Sequence, residues 1–255
     1  MDTNLSGKTA VITGGARGIG YAVARSLAAE GADIALLDLL DTVEESARKI
    51  GDEYSVRAYG QRLDVTDQDA TNAAFEMIAE RLSVPQVLLT AAGIEINGDS
   101  IDVSAGAWRK VIDVNLTGTF FSAQAFGRGL LTSDLPGSAI LISSMSGEIV
   151  NVPQWAASYN SSKAAVAHLA KSLAVEWAAS DIRVNSIAPG YVLTDLTQQI
   201  IDREPELEAD WISRIPQGRM ATPEDLTGLV TFLASNASSY LTGQQIVIDG
   251  GYTAV

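Results

Sequence analysis

The 255-residue sequence predicts a doubly wound α/β fold, a parallel sheet of about seven strands with helices on both faces, in one domain spanning residues 1–255. Three observations carry that expectation. Short apolar runs recur between longer stretches of helical periodicity. Most of these runs are continuous rather than alternating, which suits strands covered on both faces. No linker, charge block, low-complexity tract or fixed-period repeat interrupts the chain.

Taken in order, the strand Thr9–Thr13 leads through a glycine-rich turn into a helix over Ile19–Glu30. Asp33–Asp38 is the second strand, followed by the helix Thr42–Gly51. Val56–Asp64 is the third, followed by the helix Asp67–Leu82. Gln86–Thr90 precedes one long helix, Ala107–Leu131, and Ser138–Ser143 precedes another, Ser158–Ala179. Arg183–Ile187 and Gln245–Asp249 complete the strands. Between them Thr222-Pro223-Glu224-Asp225 opens a further helix, with a capping residue, a proline in the first turn and acids at the positive end of the dipole.

Composition then limits the chemistry. The chain has no cysteine and one histidine, His168, so disulfides, thiolate nucleophiles, Cys-ligated metals and multi-histidine metal sites are excluded, and no metal site is expected. With 17 basic against 31 acidic residues the net charge is −14. That balance argues against nucleic acid, which needs a basic face. No signal segment and no apolar run of the ~20 residues a membrane helix needs is visible, so a cytoplasmic enzyme without membrane contact is expected.

Thr13-Gly14-Gly15-Ala16-Arg17-Gly18-Ile19-Gly20 sits between the first strand and the first helix. Glycine serves where backbone turns sharply beside a diphosphate and where a helix packs closely on a strand. The free N–H groups at the helix start favour the anion. This context makes the turn a dinucleotide cradle and the sheet Rossmann-type. Asp38 ends the second strand eighteen residues past Gly20. A carboxylate there accepts bonds from the adenosine ribose hydroxyls and repels a 2′-phosphate, so NAD is preferred over NADP. Arg17 pulls the other way, while Leu39 and Leu40 supply no cation. Asp64, ending the third strand, is a candidate partner for the adenine amine, with a strand-end cap as the plainer reading.

Tyr159-Asn160-Ser161-Ser162-Lys163 places a phenol and an ammonium four apart, on one helix face. A tyrosine ionises near pH 10, and a nearby cation lowers that value. No Lys or Arg occurs from Gly129 to Ser162, so Lys163 is expected to dominate the local field. Ser144 and Ser146 stand at the end of the fifth strand, where doubly wound folds place their chemistry.

Together these strings resemble the short-chain dehydrogenase/reductase family over essentially the whole chain. The resemblance rests on Thr13–Gly20, Asp64-Val65, Val114-Asn115-Leu116-Thr117-Gly118, Ser144, Tyr159 with Lys163, and Asn185-Ser186-Ile187-Ala188-Pro189-Gly190. It implies a catalytic set of Asn115, Ser144, Tyr159 and Lys163. In that set Tyr159 moves the proton while hydride passes between the alcohol carbon and the nicotinamide, and Asn115 keeps a water beside Lys163. It also implies cofactor contacts from Gly14, Arg17, Gly18, Ile19, Gly20, Asp38, Asp64, Val65, Ala92, Gly93, Tyr159, Lys163, Pro189, Gly190, Val192 and Thr194. The family is usually tetrameric, through helices 107–131 and 158–179, and a homotetramer is expected.

Two departures stand out. The family's Asn-Asn-Ala-Gly reads Thr90-Ala91-Ala92-Gly93, so the structural bonds of the first asparagine fall to Thr90 or vanish. Ser144 and Tyr159 are fifteen residues apart, longer than is common, and Ser146 stands at the commoner distance. Ser144 is preferred because it fits the Ser-x-x-Gly frame with Gly147. The longer loop, 148–155, offers Asn151, Gln154 and Glu148 as binders of several hydroxyls, or as plain solvated residues.

Its motifs, with the ending Asp249-Gly250-Gly251-Tyr252-Thr253, resemble bacterial polyol dehydrogenases of the galactitol type. That implies a small neutral hydroxylated substrate held by Ser144, Ser146, Asn151, Gln154 and Tyr159, under a lid near 191–217. A 3-oxoacyl-carrier-protein reductase shares the catalytic residues but would meet an acidic carrier with an acidic surface. A non-catalytic dinucleotide sensor would not keep both Tyr159 and Lys163. His168, Trp108, Trp155 and Trp177 are expected to pack or cap.

Overall fold

The computed structural model describes residues 2–203 and 205–255. Its strands are β1 (Thr9–Thr13), β2 (Asp33–Asp38), β3 (Ala58–Arg62), β4 (Val87–Thr90), β5 (Gly137–Ile142), β6 (Ile182–Pro189) and β7 (Gln245–Ile248). They form one parallel sheet in the order β3-β2-β1-β4-β5-β6-β7. The expected architecture is present, with every predicted strand in place. β6 runs farther than predicted, through Ala188 and Pro189, because it pairs with β7 to its end.

The continuous apolar strings follow from two-sided burial. Along β1, Ala10 and Ile12 enter one core while Val11 enters the other; along β5, Ile140 and Ile142 oppose Ala139 and Leu141. Successive side chains point to opposite faces, so both sets must be apolar when helices cover both sides. One face carries α1 (Gly18–Ala29), α2 (Val43–Tyr54) and α9 (Glu224–Ala234). The other carries α3 (Gln68–Arg81), α5 (Gly118–Ser133) and α6 (Ala157–Trp177). The chain changes faces through α3, between β3 and β4, so the strand order reverses between the neighbouring strands β1 and β4. The crevice outside their carboxyl ends is where such folds bind ligands.

The predicted helix 107–131 is two helices. α4 (Ala105–Ile112) and α5 are joined by a wide turn, Asp113–Thr117, with i→i+5 bonding. Wide turns of this kind often mark functional positions. Here the turn holds Asn115, which is fully buried.

A third, smaller apolar cluster lies beyond β6. It joins α7 (Asp195–Ile201) and α8 (Glu206–Arg214) through Ile201, Leu207, Trp211 and Ile215 to Met145 and Tyr191. Trp211 is only 1% exposed and stacks on Tyr191 with ring centres 4.3 Å apart. Trp177 packs as expected, whereas Trp108 and Trp155 are exposed. His168 is also exposed on α6, so it is neither packed nor a cap. No helix among the described residues is long and apolar enough to cross a membrane.

Candidate active site

The glycine turn is shaped by contacts that leave no room for side chains. Gly14 adopts φ +67°, and a Cβ there would lie 2.6 Å from the Ala92 nitrogen. A Cβ on Gly20 would collide with the Gly14 carbonyl oxygen. Gly18 differs. It adopts φ +57°, and a Cβ there would meet only the Thr194 side chain, at 3.8 Å. The turn is thus pinned by β4 and by α1 and open above Gly18, and Arg17, which precedes α1, makes no side-chain cap to its first turn. That opening and those uncapped N–H groups fit a dinucleotide diphosphate.

Asp38 ends β2 facing this turn. Its Oδ2 accepts the Ala16 N–H and its Oδ1 the Leu40 N–H, each at 3.0 Å. Arg17 is drawn away from it, donating to Asp195 at the start of α7 at 3.0 Å. Asp64 caps its own strand end: Oδ1 accepts the Thr66 N–H at 3.0 Å and the Thr66 hydroxyl at 2.8 Å. Val65 beside it is buried against Gly118, which has no space for a Cβ. The Thr90 hydroxyl is buried without a partner among the described residues, so the bonds expected of an asparagine there have vanished.

The second cluster is assembled where α6 meets the turn after β5. A Cβ on Gly147 would lie 2.7 Å from the Ala164 nitrogen, so only glycine lets α6 approach this closely. That approach brings the Ser144 and Tyr159 side chains into the wall of one cavity. Ser144 Oγ also accepts the Ser146 N–H at 3.1 Å. One turn along α6, the buried Lys163 donates to the Ile142 carbonyl at 2.9 Å, with Nζ 5.6 Å from the centre of the Tyr159 ring.

Asn115 holds the other side of Lys163. Its Oδ1 accepts the Ile94 N–H at 2.8 Å, and its Nδ2 donates to the Ile94 carbonyl at 2.9 Å and to Ser162 Oγ at 3.0 Å. A Cβ on Gly93 would lie 3.4 Å from Asn115 Oδ1 and 3.6 Å from Lys163 Nζ.

The electrostatics differ from the expectation that Lys163 rules the field. Burial raises the Tyr159 phenol above its ordinary value and the Glu95 carboxylate raises it further, while the neighbouring Ser144 hydroxyl acts against both. Burial pushes Lys163 down to about 8, with Glu95 acting against that fall. Glu95 enters from the segment after β4, so its charge was invisible beside Tyr159 in the linear order.

A cavity joins the two clusters. Of the expected site residues, Ser144, Ser146, Asn151, Gln154, Tyr159, Pro189, Gly190, Val192 and Thr194 line it, together with Ile19 from the glycine turn. The Thr194 hydroxyl caps α7, and the Val192 carbonyl accepts the Thr197 hydroxyl at 2.7 Å. Asn151 and Gln154 both donate to the Tyr191 hydroxyl, at 3.2 and 2.9 Å, and Gln154 also accepts from Trp211. Glu148 stays exposed. Glu95, Tyr191 and Trp211 were missed as cavity residues. The one usable signal was the place of Glu95 just past β4, at the carboxyl end of the sheet.

A family model described as enoyl-(acyl carrier protein) reductase matches residues 14–253. D-arabinitol 2-dehydrogenase (ribulose-forming) of Candida tropicalis is 42% identical, over 97% of this chain and 93% of that protein. Galactitol 2-dehydrogenase (L-tagatose-forming) of Cereibacter sphaeroides is 40% identical, over 98% and 96%. The crystal structure of a short-chain type dehydrogenase/reductase from Mycobacterium marinum superposes with a TM-score of 0.90 at 39% identity, covering 100% of this chain and 98% of that one. With its parallel sheet, its glycine turn and Ser144, Tyr159 and Lys163 brought together where α6 meets the turn after β5, the chain belongs to the short-chain dehydrogenase/reductase family.

Proposed function

We propose that this chain is an NAD-dependent polyol dehydrogenase, interconverting a secondary alcohol of a sugar alcohol or vicinal diol with its ketone. The observation that carries the reading is that Ser144 and Tyr159 share one cavity wall, where Ser146, Asn151 and Gln154 add polar groups to a mostly apolar lining. The names of the arabinitol and galactitol relatives support the substrate class.

A bound nicotinamide dinucleotide supplies the hydride acceptor or donor and, when oxidised, a positive ring charge. In this reading Tyr159 Oη takes the alcohol proton during oxidation and returns it during reduction. Ser144 Oγ orients the reacting oxygen beside the phenol. Lys163 spends one N–H on the Ile142 carbonyl and directs the others toward the cofactor ribose. Asn115 is a positioning residue, fixing Ile94 and Ser162 around that ammonium. Gly14, Gly18, Ile19 and Gly20 hold the diphosphate, and Ala92 and Gly93 form the floor beneath the ribose. Asp64 and Val65 flank the adenine, and Pro189, Gly190, Val192 and Thr194 flank the nicotinamide. The segment 191–217 is the substrate lid over a single catalytic domain.

The NAD preference rests on Asp38. Its two oxygens are aimed by backbone N–H groups, and the nearest basic side chain in the turn, Arg17, is engaged by Asp195. A 2′-phosphate placed there meets a fixed carboxylate, and the neighbouring cations Arg17 and Arg62 are paired with Asp195 and Asp41. A panel of hexitols, pentitols and vicinal diols, followed at the NADH absorbance band with each cofactor, tests both parts. At least one polyol is expected to be oxidised, with kcat/KM for NAD exceeding that for NADP by roughly tenfold or more. An NADP preference would remove Asp38 from its assigned role. Silence on every polyol with turnover of acyl thioesters would replace the substrate class.

The reading includes a homotetramer. Leu131 on α5 and Val175 on α6 are apolar yet 48% and 83% exposed, as residues covered by another copy would be. Sedimentation velocity is expected to give four times the 26.8 kDa chain mass, and a monomer would refute it.

A further inference from the structure

Glu95 belongs to none of the motifs that mark this family in the sequence, yet it stands in the wall of the cavity that holds Ser144 and Tyr159. Among the described residues lining that cavity it alone carries a formal charge. Its side chain is half-buried, and that withdrawal from water raises the carboxyl above its ordinary range, with the neutral Asn97 side chain and Lys163 acting against the rise. No described Lys or Arg closes an ion pair on it. A carboxylate partly withdrawn from water without a counter-ion is costly.

Across the same cavity Asn151 presents a second acceptor. The residue is only 5% exposed, its Nδ2 is spent on Tyr191, and its Oδ1 has no partner. Buried acceptors of this kind normally find donors. The wall therefore offers two acceptors that the protein itself leaves under-supplied, one of them anionic. A ligand with several O–H donors completes both. A ligand with a carboxylate of its own completes neither and brings like charge into a poorly solvated space.

We infer that Glu95, with Asn151, determines specificity: the pair accepts hydrogen bonds from hydroxyls next to the reacting carbon and so selects neutral polyols and ketoses over aldonates of the same skeleton. The inference rests on the alcohol–ketone reading of this site and deepens it to a charge class of substrate.

The test uses the full chain with NADH and compares a neutral ketohexose, such as L-sorbose or D-fructose, with 5-keto-D-gluconate. For the wild type, kcat/KM is expected to favour the ketohexose by on the order of a hundredfold. Glu95→Gln is expected to lower ketohexose kcat/KM by roughly tenfold and to shrink the gap to the ketoaldonate by a similar factor. Glu95→Asp keeps the charge and is expected to keep the discrimination. Inhibition of the wild type by D-gluconate against galactitol provides a readout that no variant's folding affects, and the neutral compound is expected to bind more tightly.

A wild type that accepts ketohexose and ketoaldonate equally, or a Glu95→Gln ratio unchanged from wild type, overturns the role of Glu95 and leaves the alcohol–ketone reading standing. A wild type that turns over no neutral ketone or polyol with either cofactor removes that reading, and the inference falls with it.

Discussion

Tyr159→Phe is expected to lower turnover by roughly two to four powers of ten while NADH still binds with near-wild-type affinity. The substitution removes one oxygen and leaves the ring, so the cavity wall and the glycine turn are unaltered. What disappears is the hydroxyl proposed to hold or take the proton at the reacting oxygen, in the cavity it shares with Ser144. The pH dependence supplies an independent check. Alcohol oxidation needs phenolate, and burial and Glu95 both raise the Tyr159 phenol, so the wild-type oxidation rate is expected to climb with pH. Carbonyl reduction needs the phenol and is expected to fall over the same range. The variant loses both dependences at this group. Fluorescence titration with NADH and steady-state kinetics from acid to alkaline pH measure each part. Substantial activity in the variant would take Tyr159 out of the chemistry.

Gly20→Ala is expected to damage cofactor binding and stability together. The added Cβ would collide with the Gly14 carbonyl oxygen and lie 2.9 Å from its carbon and 3.1 Å from the Gly15 Cα. All three neighbours are backbone of the diphosphate turn, so no side chain can swing aside. Overpacking of this kind costs about 1–3 kcal/mol, which in a chain of this size lowers Tm by roughly 2–10 °C. NAD affinity is expected to fall by about tenfold or more, because the turn must open where its N–H groups converge. Gly228→Ala in α9 is the control, since a Cβ there meets nothing within 4 Å and the site is helical. That substitution is expected to be neutral or stabilising by about 0.4–1 kcal/mol. Calorimetry and NAD titration of the two variants would expose a glycine turn that tolerates alanine.

Much of the active-site geometry is local in sequence and was readable there. Tyr159 and Lys163 lie on one helix face because four residues make about one turn. Ser144 and Gly147 define a tight turn whose missing side chain lets α6 pack against it. Gly14, Gly18 and Gly20 announce themselves because each has a conformation or a contact that a side chain would spoil.

Other features escaped because their causes lie far along the chain. The pattern from Ala107 to Leu131 reads as one helix, and nothing local breaks it. The wide turn at Asp113–Thr117 is held by Asn115 gripping Ile94 and Ser162, residues on two other segments. Asn151 and Gln154 were legible as polar loop residues, and both line the cavity. Their mutual partner, the Tyr191 hydroxyl, was not, because Trp211 and α8 must first fold back to stack against that ring.

The sequence by itself determined the sheet, the diphosphate turn and the Ser144, Tyr159 and Lys163 set, since apolar patterning, glycine placement and helical spacing act over a few residues. Only the tertiary structure decided the charge environment of that set. Burial and Coulomb forces depend on distance in space, and the strand order β1-β4-β5 carries Glu95 to the phenol from more than sixty residues away. The lone histidine and missing cysteines had already pointed to a tyrosine, and the fold set an acid beside it.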